Sequence, residues 1–359
     1  MVWAALTLSP VNAGGAALSV VSYRTTSLSL SEVGGVIQRG PDGAIYFLRV
    51  EDGIVHRLNT DNSISRFQLS PTPETAFGTV DLLQDMHIDA VGNLSVPAIW
   101  GRPPKNGGVG VLVFDSAGRY LRTVSFTPGI GVRHIAVYGN GNVFALGIDP
   151  AYYRRTDPLC LLVHKYSPDG KRLTAFSSCP PELAGDKRTS GSGWNRLNQE
   201  VDRGRIWIDG SRLYHLLPFS HSIRVFDAST GSQVDDLELQ GPSALEPPAA
   251  GGTEETGTAE MLWHVVRMTD GRYLARWSMQ SGAPGAASVH PATSMTVHIV
   301  KGANGSTLRG GRVSHLGVIA SSDRGAMVPV FAEEDGSVTC LVGNANGPVA
   351  FARVRISSN

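Results

Sequence analysis

The chain is dominated by one recurring pattern: an apolar stretch, a tight turn that contains glycine, and a second apolar stretch. The clearest copy spans residues 134–146, with its turn at residues 139–142. Copies also begin at Val36 and Asp85, and 49 residues separate Val36 from Asp85 and Asp85 from His134. Later copies begin at His264 and Val318. A period longer than a hairpin indicates a repeat architecture, in which each repeat buries its apolar face against the next.

The first repeat, residues 35–69, shows what one unit contains. It has four short strand-like segments, separated by turn sequences at residues 41–43, 51–53 and 59–62 that are rich in Asp, Asn and Gly. Four strands joined by hairpins make one blade of a β-propeller. Six such units, the fourth built around residues 205–208, predict a single all-β domain over residues 14–359. The expected fold is a six-bladed β-propeller of four-stranded antiparallel blades.

The N-terminal segment and the insertions refine this expectation. Residues 14–32 are predicted to add an outer strand to the last blade, because an unclosed ring would leave strand edges exposed. Seven blades, with residues 14–32 as the remnant of the extra one, are the alternative. Residues 180–193 and 241–257 are rich in small and turn-forming residues and are predicted to be loops between units. No long segment has a helical period, so almost no helix is expected.

One stretch also resembles a known repeat family. The sequence Ile-Ala-Val-x-x-x-Gly-Asn-Val-Phe at residues 135–144 resembles the NHL-type repeat of six-bladed propellers, as do residues 86–96 and 265–274. The resemblance covers most of residues 33–356, although the fourth unit aligns poorly and the aspartate usual after the first strand is kept only at Asp89. The family includes sensors, scaffolds, and lyases or lactonases of the six-bladed class. The resemblance therefore implies a fold and no particular chemistry.

A candidate site follows from the same resemblance. In NHL-like repeats a glycine usually opens the innermost strand, close to the mouth of the central channel. Here that slot holds Val36, Asp85, His134, His264 and Val318, with Arg203 or Gly204 in the fourth unit, and His87 and His315 lie nearby in sequence. Two imidazoles and a carboxylate suit a divalent metal or acid–base chemistry, which implies a metal set of Asp85, His134 and His264. The wider ligand-binding set adds Arg203 and His315. A polar, hydrated rim without any ligand is the alternative.

Charge and motif content narrow the possible functions. With 31 basic and 31 acidic residues, the chain has no net charge, which argues against nucleic acid or an anionic membrane as a partner. No apolar run is long enough to span a bilayer. The sequence has no HExxH motif, no Walker-type phosphate loop, no GxSxG elbow and no DxDxDG calcium loop.

Two features favour export. Residues 1–13 look like a truncated signal peptide, although the basic start of such signals is missing, and a frayed terminus is the alternative. Cys160 and Cys179 lie in one predicted hairpin and face each other if residues 169–170 form a two-residue turn, which would allow a disulfide. A three-residue loop over residues 168–170 would instead place the two thiols on opposite faces. Simple burial of all three cysteines, including Cys340, is the other possibility.

The repeat scaffold, the inter-unit loops and the missing catalytic motifs together favour a binding function. We expect a non-catalytic, monomeric, exported β-propeller, periplasmic or extracellular, that binds a small molecule or a protein at one face. A cytoplasmic location is the alternative to export. The competing hypothesis for the function is a metal-dependent lyase or lactonase-like hydrolase with its site at the channel mouth.

Overall fold

The computed structural model describes residues 16–33, 36–69, 80–83, 85–101, 107–153, 159–181, 191–239, 259–280, 292–298, 313–319, 326–343 and 348–358. These residues form 25 strands and three helices. The chain divides into two compact units, one of residues Leu30–Leu237 and one of residues Met1–Ser29 with Glu238–Asn359.

The chain starts with strand β1 (Ala16–Ser29) and the short helix α1 (Leu30–Val33), and four sheets follow. The first sheet contains β2 (Val36–Arg39), β3 (Ile45–Arg49), β4 (Ile54–Leu58) and β5 (Ile64–Gln68). The second contains β6 (Val80–Leu82), β7 (His87–Ile88), β8 (Leu94–Trp100), β9 (Gly108–Phe114) and β10 (Tyr120–Ser125). The third contains β11 (Gly131–Val137), β12 (Val143–Ile148), β13 (Leu161–Tyr166) and β14 (Arg172–Ser178), with helix α2 (Pro150–Tyr153) between β12 and β13.

Helix α3 (Gly191–Arg203) precedes the fourth sheet, which contains β15 (Arg205–Asp209), β16 (Arg212–Leu217), β17 (Ser222–Asp227) and β18 (Gln233–Glu238). The fifth sheet contains β19 (Ala259–Arg267), β20 (Tyr273–Gln280), β21 (Ala292–His298) and β22 (Val313–Ile319). The sixth contains β23 (Ala326–Ala332), β24 (Val338–Gly343) and β25 (Pro348–Ser358), and β1 pairs with β25 to complete it. The N-terminal strand therefore joins the last sheet, as the sequence predicts.

Five of these six sheets are four-stranded antiparallel blades. The second sheet differs because its innermost strand is divided: β6 and β7 both pair with β8, with Leu82 opposite Ala98 and His87 opposite Ser95. Neighbouring sheets bury apolar side chains against each other in chain order. Phe144 and Leu217 share a cluster between the third and fourth sheets, and similar clusters join the first to the second, the second to the third, and the fifth to the sixth. The chain is an all-β β-propeller.

The prediction that Val318 opens the last unit is wrong. Val318 lies in β22, which pairs with β21 as the outer strand of the fifth sheet, and the innermost strand of the sixth sheet begins at Ala326. An apolar stretch followed by a glycine turn looks the same in sequence whether it joins two strands of one blade or two successive blades. The pattern alone therefore cannot place the boundary between units.

The prediction of almost no helix misses α3, which is 13 residues long and begins within the segment predicted to be a loop. Leu197 and Val201 are one helical turn apart, and both are buried in the cluster between the third and fourth sheets. The remaining positions of the helix are mostly polar. One apolar stripe on a mainly hydrophilic segment is a weak signal next to a strong strand repeat.

The hairpin of β13 and β14 carries the disulfide that the sequence suggests, between Cys160 and Cys179, with a Cα–Cα distance of 5.4 Å. The turn itself has three residues, 168–170, because Ser167 pairs with Lys171. That loop alone would separate the thiols, but a bulge between the Tyr166 and Lys165 pairs restores the register. The bulge therefore brings the two cysteines back into opposition. The Cys179 N–H donates to the Cys160 carbonyl at 2.8 Å, so the pair is hydrogen-bonded.

This bridge leads to a testable expectation. Replacing Cys160 and Cys179 together with serine should lower the free energy of unfolding by about 3 kcal/mol, because the bridge limits the conformations of the unfolded chain. Urea unfolding of oxidised wild type and the double variant measures the difference. Cys340→Ser is the control for removing a buried thiol, since Cys340 is fully buried and its burial raises the pKa of its thiol to about 12. Three free thiols in freshly exported protein would refute the bridge.

Candidate functional site

Asp85 lies just before β7, and its carboxylate is almost fully buried. One carboxylate oxygen, Oδ1, accepts a hydrogen bond from the N–H of Met86 at 2.9 Å, and the other, Oδ2, accepts one from the N–H of Ile135 at 2.6 Å. Ile135 belongs to β11 of the third sheet, so the carboxylate joins two neighbouring sheets. A buried carboxylate is stable only with such donors, and Asp85 uses both of its oxygens on them.

His134 is the next residue of this group, and only 4% of it is exposed. Its Nδ1 lies 3.0 Å from Nη1 of Arg205 and 3.6 Å from Oδ2 of Asp85, and its Nε2 lies 3.2 Å from the carbonyl oxygen of Asp202. A guanidinium can only donate, so Nδ1 must accept and Nε2 must carry the proton. The imidazole is therefore neutral, and both of its nitrogens are in use.

Helix α3 explains why these groups meet. The last carbonyl groups of a helix have no partner within the helix, and the carbonyl of Asp202 accepts a hydrogen bond from His134 instead. The Asp202 carboxylate forms an ion pair with Arg133. Arg133 precedes His134 in β11 and lies at a bulge between Val132 and His134. The guanidinium of Arg203 lies 6.0 Å from the centre of the Phe219 ring. We call Asp85, Arg133, His134, Asp202, Arg203 and Arg205 the His134 cluster.

The structure brings together some of the predicted site residues and leaves others apart. Asp85 and His134 are in contact, and Arg203 follows the Asp202 carbonyl that His134 binds. Gly204, the other residue predicted for the slot of the fourth unit, closes the helix by donating its N–H to the Glu200 carbonyl at 2.9 Å. Val36 is buried in the core between the first and second sheets.

The remaining predicted residues belong to the other unit. His264 lies in β19, opposite Arg276 of β20. Burial lowers the pKa of the Arg276 guanidinium, which lies 5.8 Å from the centre of the Trp263 ring. His315 lies in β22, and its side chain is outside the described residues. Both histidines therefore stay predictions as ligand contacts.

The predicted metal set of Asp85, His134 and His264 stays a prediction. No group of three His, Cys, Asp or Glu side chains in the described ranges could hold a metal ion. Both nitrogens of His134 are engaged, and the positive Arg205 faces the nitrogen that would bind a cation. His134 therefore has no nitrogen free for a metal ion in this arrangement.

A second polar cluster, which the sequence analysis missed, lies between the third and fourth sheets. The Ser177 hydroxyl lies 2.7 Å from Nδ1 of the fully buried His215, and Arg224 donates to Ser177 Oγ at 3.3 Å. Burial lowers the pKa of His215 to about 3, and the charge of Arg224 acts in the same direction. His215 is therefore neutral and is held as a structural group.

His164 in β13 also has a lowered pKa. Burial and the charge of Arg172 lower the pKa of its imidazole to about 4. Neither histidine could be identified from the sequence. The partners of His215 come from strands that are distant in sequence, and no local motif marks that pairing.

A cavity of about 400 Å³ lies elsewhere, between the first and second sheets. Leu112 and Phe114 contribute to its apolar wall, and Glu51, Asp52 and Asp81 bring carboxylates to its lining. None of the predicted site residues lines this cavity. The cavity and the His134 cluster are therefore separate features of the longer unit.

The comparisons with known proteins address the fold alone. No protein-family model and no curated protein matches the sequence. A crystal structure of a Bacteroides fragilis protein that is thought to be exported is similar over 95% of both chains, with 9% identity and a TM-score of 0.56. A streptogramin B lyase structure matches over 96% of this chain and 98% of its own, with 13% identity and a TM-score of 0.45.

A virginiamycin B lyase from Staphylococcus aureus, a catalytically inactive variant with quinupristin, matches over 92% of this chain and 99% of its own. The identity is 9% and the TM-score is 0.46. Identities this low carry no chemistry from one protein to another. In the described part of the chain, no helix combines the length and the hydrophobicity needed to cross a membrane.

Proposed function

We propose that this chain is a non-catalytic, NHL-like binding β-propeller of six blades that is exported and binds a small molecule or a protein at one face. The six sheets, each made of short antiparallel strands in chain order, support the blade number. The Cys160–Cys179 bridge supports export, because such bridges persist in oxidising compartments. The ligand contacts we propose are Asp85, His134 and Arg203, with His264 and His315 as further candidates.

One observation carries the choice of binding over catalysis. Every nitrogen of His134 and every carboxylate oxygen of Asp85 is already held by a hydrogen bond within the protein. A general base needs a free lone pair that can reach the substrate proton, and a metal ligand needs one that can reach the ion. His134 has none, and the remaining lone pairs of Asp85 belong to an almost fully buried carboxylate. The pair that would serve a lyase or a hydrolase instead holds the second, third and fourth sheets together.

Metal analysis with a matched variant tests this choice. Purified wild type and His134→Gln should both contain well under one equivalent of zinc, iron, manganese or calcium, and glutamine keeps a donor and an acceptor at this position. Plasma mass spectrometry of dialysed protein gives the numbers. Stoichiometric metal that is lost in His134→Gln would contradict this choice and favour the metal-dependent lyase or hydrolase.

Binding itself is tested by a thermal-shift screen of neutral, cationic and anionic small molecules. A compound that raises the melting temperature of wild type but not that of His134→Gln supports a ligand site at the His134 cluster. Equal shifts for the two proteins across the whole screen would remove the cluster from the proposed site.

A further inference from the structure

We infer that the ligand of the His134 cluster carries an anionic group, a carboxylate or a phosphate, and that Arg205 is its main contact. This inference rests on the binding function proposed above. It names a residue that the sequence analysis did not select, and it assigns a chemical class to the ligand.

Arg205 has no counter-ion among the described residues. Within the described ranges its guanidinium makes one hydrogen bond, to His134 Nδ1 at 3.0 Å, and no carboxylate lies within the 4.0 Å of an ion pair. Nearby arginines are different, since Arg133 pairs with Asp202 and Arg172 pairs with Asp149. A guanidinium has five N–H donors in a planar fork, and Arg205 leaves most of them unused.

The local chemistry does not neutralise the charge of Arg205. His134 accepts its hydrogen bond as a neutral imidazole and adds no negative charge. Asp85 Oδ2 lies 3.6 Å from the same nitrogen of His134, outside ion-pair distance of Arg205, and the two Asp85 oxygens accept the N–H groups of Met86 and Ile135. Asp202 is bonded to Arg133. The positive charge of Arg205 is thus available to a group from outside the protein.

The unused donors can also be reached. Arg205 is only partly buried, and none of its nitrogens is among the enclosed side-chain atoms that lack a hydrogen-bond partner. Its unbonded N–H groups therefore face solvent. His134 holds one end of the guanidinium in place, which lowers the entropic cost of presenting the fork to a ligand. A preorganised fork binds carboxylate or phosphate oxygens in pairs, and a neutral ligand would leave the charge unmatched.

Titration calorimetry with two probes, inorganic phosphate and succinate, tests the inference. We expect at least one probe to bind wild type, and Arg205→Gln to weaken that binding about tenfold or more, because a hydrogen bond to a charged group contributes about 1.5–3 kcal/mol. Glutamine removes the charge but keeps an N–H for His134 Nδ1. Arg119→Gln is the matched control, since Arg119 is an exposed arginine paired with Asp115 in a turn, and it should leave the affinity within about twofold.

Each result decides the question. Binding of phosphate alone or of succinate alone selects one of the two anions, and equal affinities of wild type and Arg205→Gln overturn the inference. Wild type that binds neither probe at about 10 mM overturns it as well, since even a weak site of about 1 mM would be visible there.

Crystals of wild type soaked in the same probes give an answer that does not depend on a variant's folding. An anion within hydrogen-bond distance of Arg205 supports the inference, and an anion bound only elsewhere contradicts it. A neutral compound that binds at the His134 cluster while both anions fail would overturn this inference alone. Stoichiometric metal at His134 would instead overturn the proposed function.

Discussion

Replacing Gly170 with alanine should lower the free energy of unfolding by about 3 kcal/mol or more, or prevent folding. Gly170 closes the β13–β14 hairpin with a φ of +86°, a conformation that costs L-residues energy. A Cβ atom there would also lie 2.0 Å from the backbone oxygen of Ser125 in the neighbouring sheet. That oxygen cannot move alone, because Thr127 donates its N–H to the Gly170 carbonyl at 2.9 Å. The whole joint between the second and third sheets has to open.

Two other glycines of the same unit distinguish the effect of the backbone conformation from the effect of the steric clash. Gly210 has a φ of +59° and nothing within 4 Å of an added Cβ, so Gly210→Ala should cost only about 1 kcal/mol, for the backbone conformation. Gly139 has open space and no positive φ, so Gly139→Ala should be nearly neutral. Urea unfolding of the three variants measures the differences. A Gly170→Ala variant that is no less stable than Gly210→Ala would show that the hairpin does not pack tightly against the neighbouring sheet.

The sequence predicts the architecture because the signals that define a blade are local. Hairpin turns carry their own hydrogen bonds: Asp115 accepts the N–H groups of Ala117 and Arg119, and Asp227 accepts those of Ser229 and Thr230. Such turns, spaced between apolar stretches, determine strand pairing whatever the rest of the fold does. Units two to four are therefore placed well from sequence, and the N-terminal strand follows from the need to cover an edge.

The errors arise where the structure departs from the repeat. A bulge adds one residue to a strand and leaves no local signature, so the register of the Cys160–Cys179 hairpin could not be decided between its two alternatives. Val318 was assigned to the wrong unit because strand–turn–strand patterns occur between blades as well as within them. Helix α3 was missed because it is an insertion without a counterpart in the other units.

The candidate site was predictable only in part for the same reason. Asp85 and His134 were selected because the 49-residue period places them in equivalent slots, and the structure does put them in contact. Their other partners, Asp202 and Arg205, lie at the end of α3 and just after it, where the 49-residue spacing is no longer kept. The residue that we consider most informative about the ligand, Arg205, is therefore the one that repeat analysis could not identify.

Acid should destabilise the protein well before its carboxylates are protonated. His215 and His164 have an ordinary pKa of 6.5, and in the folded chain the pKa of His215 is lowered to about 3 and that of His164 to about 4. Burial is the main cause for both. At a pH below 6.5 the unfolded chain binds a proton at each of these histidines and the folded chain does not. Stability is therefore complete above this range and falls as the pH drops through it.

The size of this effect follows from the two pKa differences. Between pH 7.5 and pH 5, each histidine should remove about 2 kcal/mol from the free energy of unfolding, or about 4 kcal/mol for the two together. Urea unfolding at the two pH values measures the loss. His215→Gln cannot take up a proton, so its loss should be about half that of wild type. Gly210→Ala, which touches no titrating group, should lose as much as wild type does. An equal loss in wild type and His215→Gln would mean that His215 is protonated in the folded protein at pH 5, and would contradict the lowered pKa of this residue.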